Sequence, residues 1–313
     1  MEKKLGLATR DAYGKEIVEI GKTNPNVVVL DADLSKSTKS ESFFKAFPGR
    51  SFNVGIMEAN LVGVASGLAA CGKIPFISSF ATFLICKGYD QLRMGVSFSE
   101  LNVKVVGSHG GISVGEDGAS QMSIEDIALT TALPGFTVMI PSDEFAARAL
   151  VRQAAEHKGP VFIRTCRPKA PIIQNEKTQF KIGKGIRLAS GKDVTLVATG
   201  LLVFEAMQAA ETLKKEGIEA GVIDLNTIKP LDETLLIEEA RKTGHMVVAE
   251  EHQIWGGLGS AVARVLSQKA PCKMEFVAIQ DTFAESGQPD ELLEKYGLTS
   301  PAIVKAAKKL LSK

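Results

Sequence analysis

Cysteine, tryptophan and tyrosine are scarce in this chain, with 4, 1 and 3 among 313 residues. Cys71, Cys86, Cys166 and Cys272 stand far apart, and no pair has the spacing of a metal knuckle or a dithiol redox motif. Free thiols in a reducing cytosol are therefore expected. Net charge is nearly absent as well: 37 basic residues face 36 acidic ones, a formal +1. No field draws such a chain to nucleic acid or to an anionic membrane, so a small-molecule substrate is expected. Long apolar runs are missing, which excludes a membrane-spanning helix. The opening Met1-Glu2-Lys3-Lys4-Leu5 has no apolar stretch behind it, so no signal peptide is expected and the location should be cytoplasmic.

What is present is an alternation of apolar strands and amphipathic helices. The length suits two domains of about 150 residues each. Strands are expected at 27–30, 52–56, 74–78, 103–107, 137–140 and 161–164, with helices near 84–97, 123–133 and 143–157. Thr9 reads as an N-cap ahead of Tyr13, Ile17 and Ile20, which share a helix face ended by Gly21. Ser123 with Asp126 reads as a capping box. Pro168 and Pro171 interrupt both periodicities, which places a linker at 171–185 between domains 1–170 and 186–313. A second series follows, with strands at 194–198, 220–224, 246–250 and 274–278 and helices at 204–216, 232–243, from Ser260 and from Thr299. The fold class is α/β with two parallel-sheet domains, and ligands in such sheets bind beyond the carboxyl ends of strands.

Four segments could carry chemistry. In Phe52-Asn53-Val54-Gly55-Ile56-Met57-Glu58-Ala59-Asn60 a glutamate opens a helix among apolar residues, and Ala59, Gly63, Gly67 and Ala70 then leave one face nearly bare. Phe80 and Phe83, in Ser78-Ser79-Phe80-Ala81-Thr82-Phe83, could stack on a flat ring. The loop Ser108-His109-Gly110-Gly111-Ile112-Ser113-Val114-Gly115-Glu116-Asp117-Gly118-Ala119-Ser120-Gln121-Met122 combines glycines with a histidine, two acids and an amide directly after a strand. Arg10, Arg164 and Arg167 could grip phosphate through the guanidinium fork. Each alone has an ordinary reading: a surface glutamate favoured by the helix dipole, core phenylalanines, a mobile loop, solvated arginines. His157, His245 and His252 have no ligand spacing and are expected in surface or loop positions.

Taken in this order and spacing, the segments resemble the pyrimidine-binding domain of transketolases. The matching pieces are Phe-Asn-Val-Gly-Ile-x-Glu, Ser-Phe-Ala-x-Phe, Gly-Glu-Asp-Gly-x-Ser-Gln and Ile-Arg-Thr-x-Arg-Pro, over residues from about 9 to 169. Asn226-Thr227-Ile228-Lys229-Pro230-Leu231-Asp232 and Trp255-Gly256-Gly257-Leu258-Gly259 resemble the family's carboxyl-terminal domain. The resemblance implies a thiamine diphosphate-dependent enzyme that moves a two-carbon ketol unit between ketose and aldose phosphates, as in the pentose phosphate pathway. It implies that Glu58 is catalytic, hydrogen-bonding nitrogen 1′ of the aminopyrimidine and favouring the imino tautomer that takes the thiazolium proton. Phe80 and Phe83 would wall the pyrimidine, with Gln121 and Asp33 also near the cofactor. Some relatives carry histidine at the position of Gln121, and a neutral amide cannot act as a base near neutral pH. Arg10, Ser37, His109 and Arg167 would bind the substrate's terminal phosphate, and Asp117 a sugar hydroxyl.

The family also needs a domain that holds magnesium and the diphosphate, marked by Gly-Asp-Gly, and that tripeptide is missing. The diphosphate half is therefore expected on another polypeptide, unless the chain is a fragment. The expected assembly has two of each half, with no metal ligands in this chain. The competing readings are the β subunit of a 2-oxoacid dehydrogenase, a 1-deoxyxylulose-phosphate synthase fragment, and a non-catalytic binding or regulatory subunit of the same fold. Against the first stand the Gly115–Gly118 segment and the Arg10, His109 and Arg167 set; against the last stands Glu58.

Overall fold

The computed structural model describes residues 3–312; Met1, Glu2 and Lys313 lie outside the described residues, as does that part of the amino-terminal reading. Strands β1 (Val27–Asp31), β2 (Ser51–Asn53), β3 (Ile74–Phe80), β4 (Lys104–Ser108), β5 (Thr137–Met139) and β6 (Val161–Arg164) form a sheet. Strands β7 (Ile186–Ala189), β8 (Val194–Ala198), β9 (Ala220–Asp224), β11 (His245–Gln253) and β12 (Lys273–Ile279) form another. The short strand β10 (Thr227–Lys229) leaves the second half of the chain and joins the first sheet beside β5. The orders are β10-β5-β6-β4-β3-β1-β2 and β12-β11-β8-β9-β7.

The first sheet is covered on both faces, and its sequence shows why. Val27 and Val29 pack with Tyr13 and Ile17 from the helix Thr9–Thr23 and with Leu150 and Val151 from the helix Glu144–Glu156. The intervening Val28 and Leu30 pack on the opposite face with Leu61 and Leu84, from the helices Glu58–Ala70 and Ala81–Gln91. Side chains that alternate between two buried layers produce the continuous apolar runs read in the sequence. Each fully buried Val, Leu or Ile stabilises the fold by about 1.5–3 kcal/mol. The second core layer also contains Val197, Ile223 and Val248, so it runs through to the second sheet.

Several expectations need correction. The sheets are mostly parallel, but β10 on β5 and β7 on β9 are antiparallel. Thr9 is the first helical residue and caps nothing, because its hydroxyl accepts from the Cys166 amide at 2.8 Å. The helix runs past Gly21 to Thr23; a Cβ at Gly21 would lie 2.5 Å from the Phe43 ring, so glycine serves close packing there. No capping box forms at Ser123: the helix Asp126–Ala132 starts at Asp126, and the Asp126 carboxylate faces the buried Arg164 guanidinium at 3.1 Å. His252 is neither on the surface nor in a loop. It is fully buried within β11, and its pKa is pushed down to about 3, first by burial and then by the Arg164 charge.

Candidate functional site

Strands β6, β4, β3 and β1 are parallel neighbours, so their carboxyl ends open on one side of the sheet. Crevices at such ends are where α/β sheets bind ligands. Chemistry-bearing residues follow all four ends.

Glu58 begins the helix Glu58–Ala70, where the amino-terminal dipole favours a carboxylate. It is only 3% exposed. Its Oε1 accepts from the Ser79 hydroxyl at 3.1 Å. The Lys87 ammonium stands 3.8 Å from Oε2, beyond hydrogen-bond length, and 4.5 Å above the Phe83 ring. One carboxylate oxygen is thus occupied and the other is not hydrogen-bonded among the described residues.

Beside it three flat rings follow one another. Phe80, at the end of β3, stacks on Phe83 with ring centroids 5.6 Å apart and on His109 with centroids 3.7 Å apart. His109 follows β4 at φ +61°, a left-handed conformation that costs a non-glycine residue about 1–3 kcal/mol unless its surroundings hold it. Two contacts hold the ring: Arg10 Nη1 lies 3.1 Å from Nε2, and the Ser108 hydroxyl lies 2.8 Å from Nδ1. A guanidinium can only donate, so Nε2 is the acceptor and the Nδ1 proton points to Ser108. Burial, then Arg10, Arg167 and Lys39, push the His109 pKa down to about 3, which keeps the imidazole neutral.

Arg10 Nη1 also donates to the Ser37 backbone carbonyl at 3.0 Å, which is how Ser37 enters the cluster. Arg10 Nε is buried without a partner. An orphaned cationic donor of this kind calls for an anion. Arg167 Nη1 donates to the Val114 carbonyl and, at 2.7 Å, to Glu116, whose pKa it lowers. The loop that carries Glu116 and the exposed Asp117 turns at Gly115 (φ +84°) and Gly118 (φ +80°), conformations that favour glycine.

The structure therefore joins Arg10, Ser37, His109 and Phe80 through direct contacts, with Phe83 stacked on Phe80. Glu58 is tied in through Ser79, the residue before Phe80. Arg167 and Asp117 are close enough for their charges to act on Arg10. Gln121 is bonded to Ser120 at 3.2 Å, and the exposed Asp33 to Asn53 at 2.9 Å; neither touches this cluster through these bonds. Arg164 does not belong to an anion site, since its buried guanidinium is spent on Asp126 and on the Ser123 and Glu251 carbonyls. The sequence reading missed Ser79 and Lys87. Lys87 lies four residues after Phe83 on the same helix, a spacing that makes side chains neighbours. A cavity of about 610 Å³, lined by Ala189, Met207, Lys214 and Val222 among others, lies on the second sheet away from these groups.

Comparison with known proteins gives the family. Residues 6–172 match the transketolase pyrimidine-binding domain and residues 183–303 the transketolase C-terminal domain. A solved structure described as a split gene transketolase, an inactive beta4 tetramer, superposes with a TM-score of 0.92 at 50% identity, covering 98% of this chain and 99% of that one. The 6-deoxy-6-sulfo-D-fructose transketolase subunit SqwH of Clostridium sp. is 43% identical over 95% of this chain and 92% of its own. Human transketolase is 40% identical over 98% of this chain, which spans 49% of that protein. The chain belongs to the transketolase family, as a counterpart of the carboxyl-terminal half of the full-length enzymes.

Proposed function

We propose that this chain is the carboxyl-terminal subunit of a cytoplasmic, thiamine diphosphate-dependent transketolase whose diphosphate and magnesium are held by a partner chain. The reading rests first on Glu58, a buried carboxylate with one oxygen fixed by Ser79 and the other without a hydrogen bond, next to stacked aromatic rings. These residues fit an aminopyrimidine: Phe83, backed by Phe80, offers a flat wall, and Glu58 Oε2 can share a proton with a ring nitrogen. When bound, thiamine diphosphate supplies the carbanion chemistry of ketol transfer. Glu58 holds the ring's protonation, and the aromatic pair excludes water from that edge.

At the other end, Arg10 and Arg167 hold the substrate's anionic tail, neutral His109 orients Arg10 through Nε2, and Asp117 accepts from a sugar hydroxyl. Ketose and aldose phosphates of the pentose phosphate pathway suit these donors. A sulfonate presents a similar face of oxygens, and a close relative is named for a sulfo-sugar, so the ratio of rates on phosphate and sulfonate acceptors distinguishes the two. A two-chain active site has further support. Ile56 and Met57, directly before Glu58, are 72% and 58% exposed, and a Cβ at Gly63 or Gly67 would meet nothing within 4 Å. Apolar residues and a bare helix face beside a catalytic group suit a subunit contact, in an assembly of two of each chain.

The test is reconstitution. Mixed with a partner bearing Gly-Asp-Gly, magnesium and thiamine diphosphate, the chain should transfer ketol units between sugar phosphates, while either chain alone should not. Transfer to a lipoyl carrier with none to sugars would select the dehydrogenase reading instead.

A further inference from the structure

The loop that carries His109 and Asp117 is held from the other half of the chain. Its apolar residues Ile112, Val114, Met122 and Ile124 pack in one core with Leu196, Val247 and Ile279 of the second sheet. Beneath it, the buried Glu251 carboxylate on β11 accepts from the Ser113 amide at 2.6 Å. Gly111 sits at φ +85°, and a Cβ there would come within 2.2 Å of Glu251 Oε1. The Glu251 backbone carbonyl accepts from Arg164 at 2.8 Å, and a Cβ at Gly110 would come within 2.0 Å of Arg164 Nε. The two glycines after His109 thus lie directly on Arg164 and Glu251. On the outer side the loop meets the segment 286–289: a Cβ at Gly115 would come within 3.0 Å of Pro289, and one at Gly118 within 2.5 Å of Ser286 Oγ. A carboxylate is costly to bury unless specific bonds answer that cost, so a residue serving only to fill this core would be apolar.

We propose that Glu251 is a positioning residue for the tail-binding end of the site, with the segment 286–289 packed on the same loop from outside. The second half of the chain then sets substrate affinity without touching the cofactor. This rests on the reading of Arg10, His109 and Arg167 as the tail-binding set.

The test uses the reconstituted two-chain complex. It measures the Michaelis constants for a phosphorylated acceptor and for a free sugar, together with amide hydrogen exchange over residues 109–121. Glu251→Ala should raise the constant for the phosphorylated acceptor about tenfold, the cost of one buried bond left unmade. The free-sugar constant should rise no more than about threefold, through Asp117 on the same loop, cofactor affinity should hold within about twofold, and exchange across the loop should quicken. Glu251→Gln, whose amide oxygen still accepts from Ser113, should restore both readouts. If Glu251→Ala does not fold, Glu251→Asp, whose carboxylate stands one methylene back from the Ser113 amide, decides, with about a threefold rise for the phosphorylated acceptor and quicker exchange across the loop. Unchanged exchange in Glu251→Ala overturns the proposal. So do equal rises on both acceptors in these variants, or a Glu251→Gln as damaging as alanine. Should Arg167→Ala weaken both acceptors equally, the tail reading fails, and exchange alone then decides whether Glu251 positions the loop.

Discussion

Glu58→Ala should lower ketol transfer by the reconstituted enzyme by roughly 10²–10⁴-fold, the range for loss of a positioned acid–base group. The fold should survive. The side chain contributes one hydrogen bond, to Ser79, and the helix it opens is secured by Leu61, Val62 and Ala65 in the core. Glu58→Gln makes the sharper test, because its amide oxygen can still accept from Ser79 while the group can no longer exchange a proton. Both variants should keep the wild-type circular dichroism and assemble with the partner. Glutamine should be nearly as inactive as alanine. Wild-type turnover in either variant would remove Glu58 from the chemistry.

Arg167→Ala should raise the Michaelis constant for phosphorylated acceptors by about 10–100-fold, since a charge-assisted hydrogen bond contributes about 1.5–3 kcal/mol. Two effects act in the same direction. The bidentate donor is lost, and Glu116, which Arg167 now engages at 2.7 Å, is left as an unpaired negative charge beside the incoming anion. Arg167→Lys should fall between, because an ammonium keeps the charge without the planar fork. Constants for unphosphorylated sugars should change by no more than about threefold, because they lack the charged oxygens that form such bonds. Equal losses on both classes of acceptor would show that Arg167 does not bind the charged tail.

Much of this site is readable from the chain because its parts are local. A strand end followed by an acid, an aromatic pair or a glycine loop leaves a linear trace, and Glu58, Phe80 and His109 were found that way. Helix starts at Asp143 and Asp232 are readable for the same reason, as each side chain accepts from an amide three residues on. What the sequence hides is use across distance. Thr9 and Asp126 look like local caps, yet their oxygens are spent on Cys166 and Arg164, tens of residues away. Strand β10 is only three residues long, and its partner β5 comes from the first half of the chain, so no period marks it. His252 sits in a Glu-Glu-His-Gln run that breaks the apolar pattern, although β11 carries the first three of these residues into the interior. Glu251 was passed over for that reason, and it is the residue through which the second half reaches the site.

Titration of thiamine diphosphate with magnesium into this chain, into the Gly-Asp-Gly partner and into their equimolar mixture decides whether one active site is shared between two polypeptides. Saturable binding and ketol transfer should appear together in the mixture only, and Glu58→Ala in the mixture should abolish the transfer while the diphosphate stays bound. Tight, magnesium-dependent binding by this chain alone would contradict it.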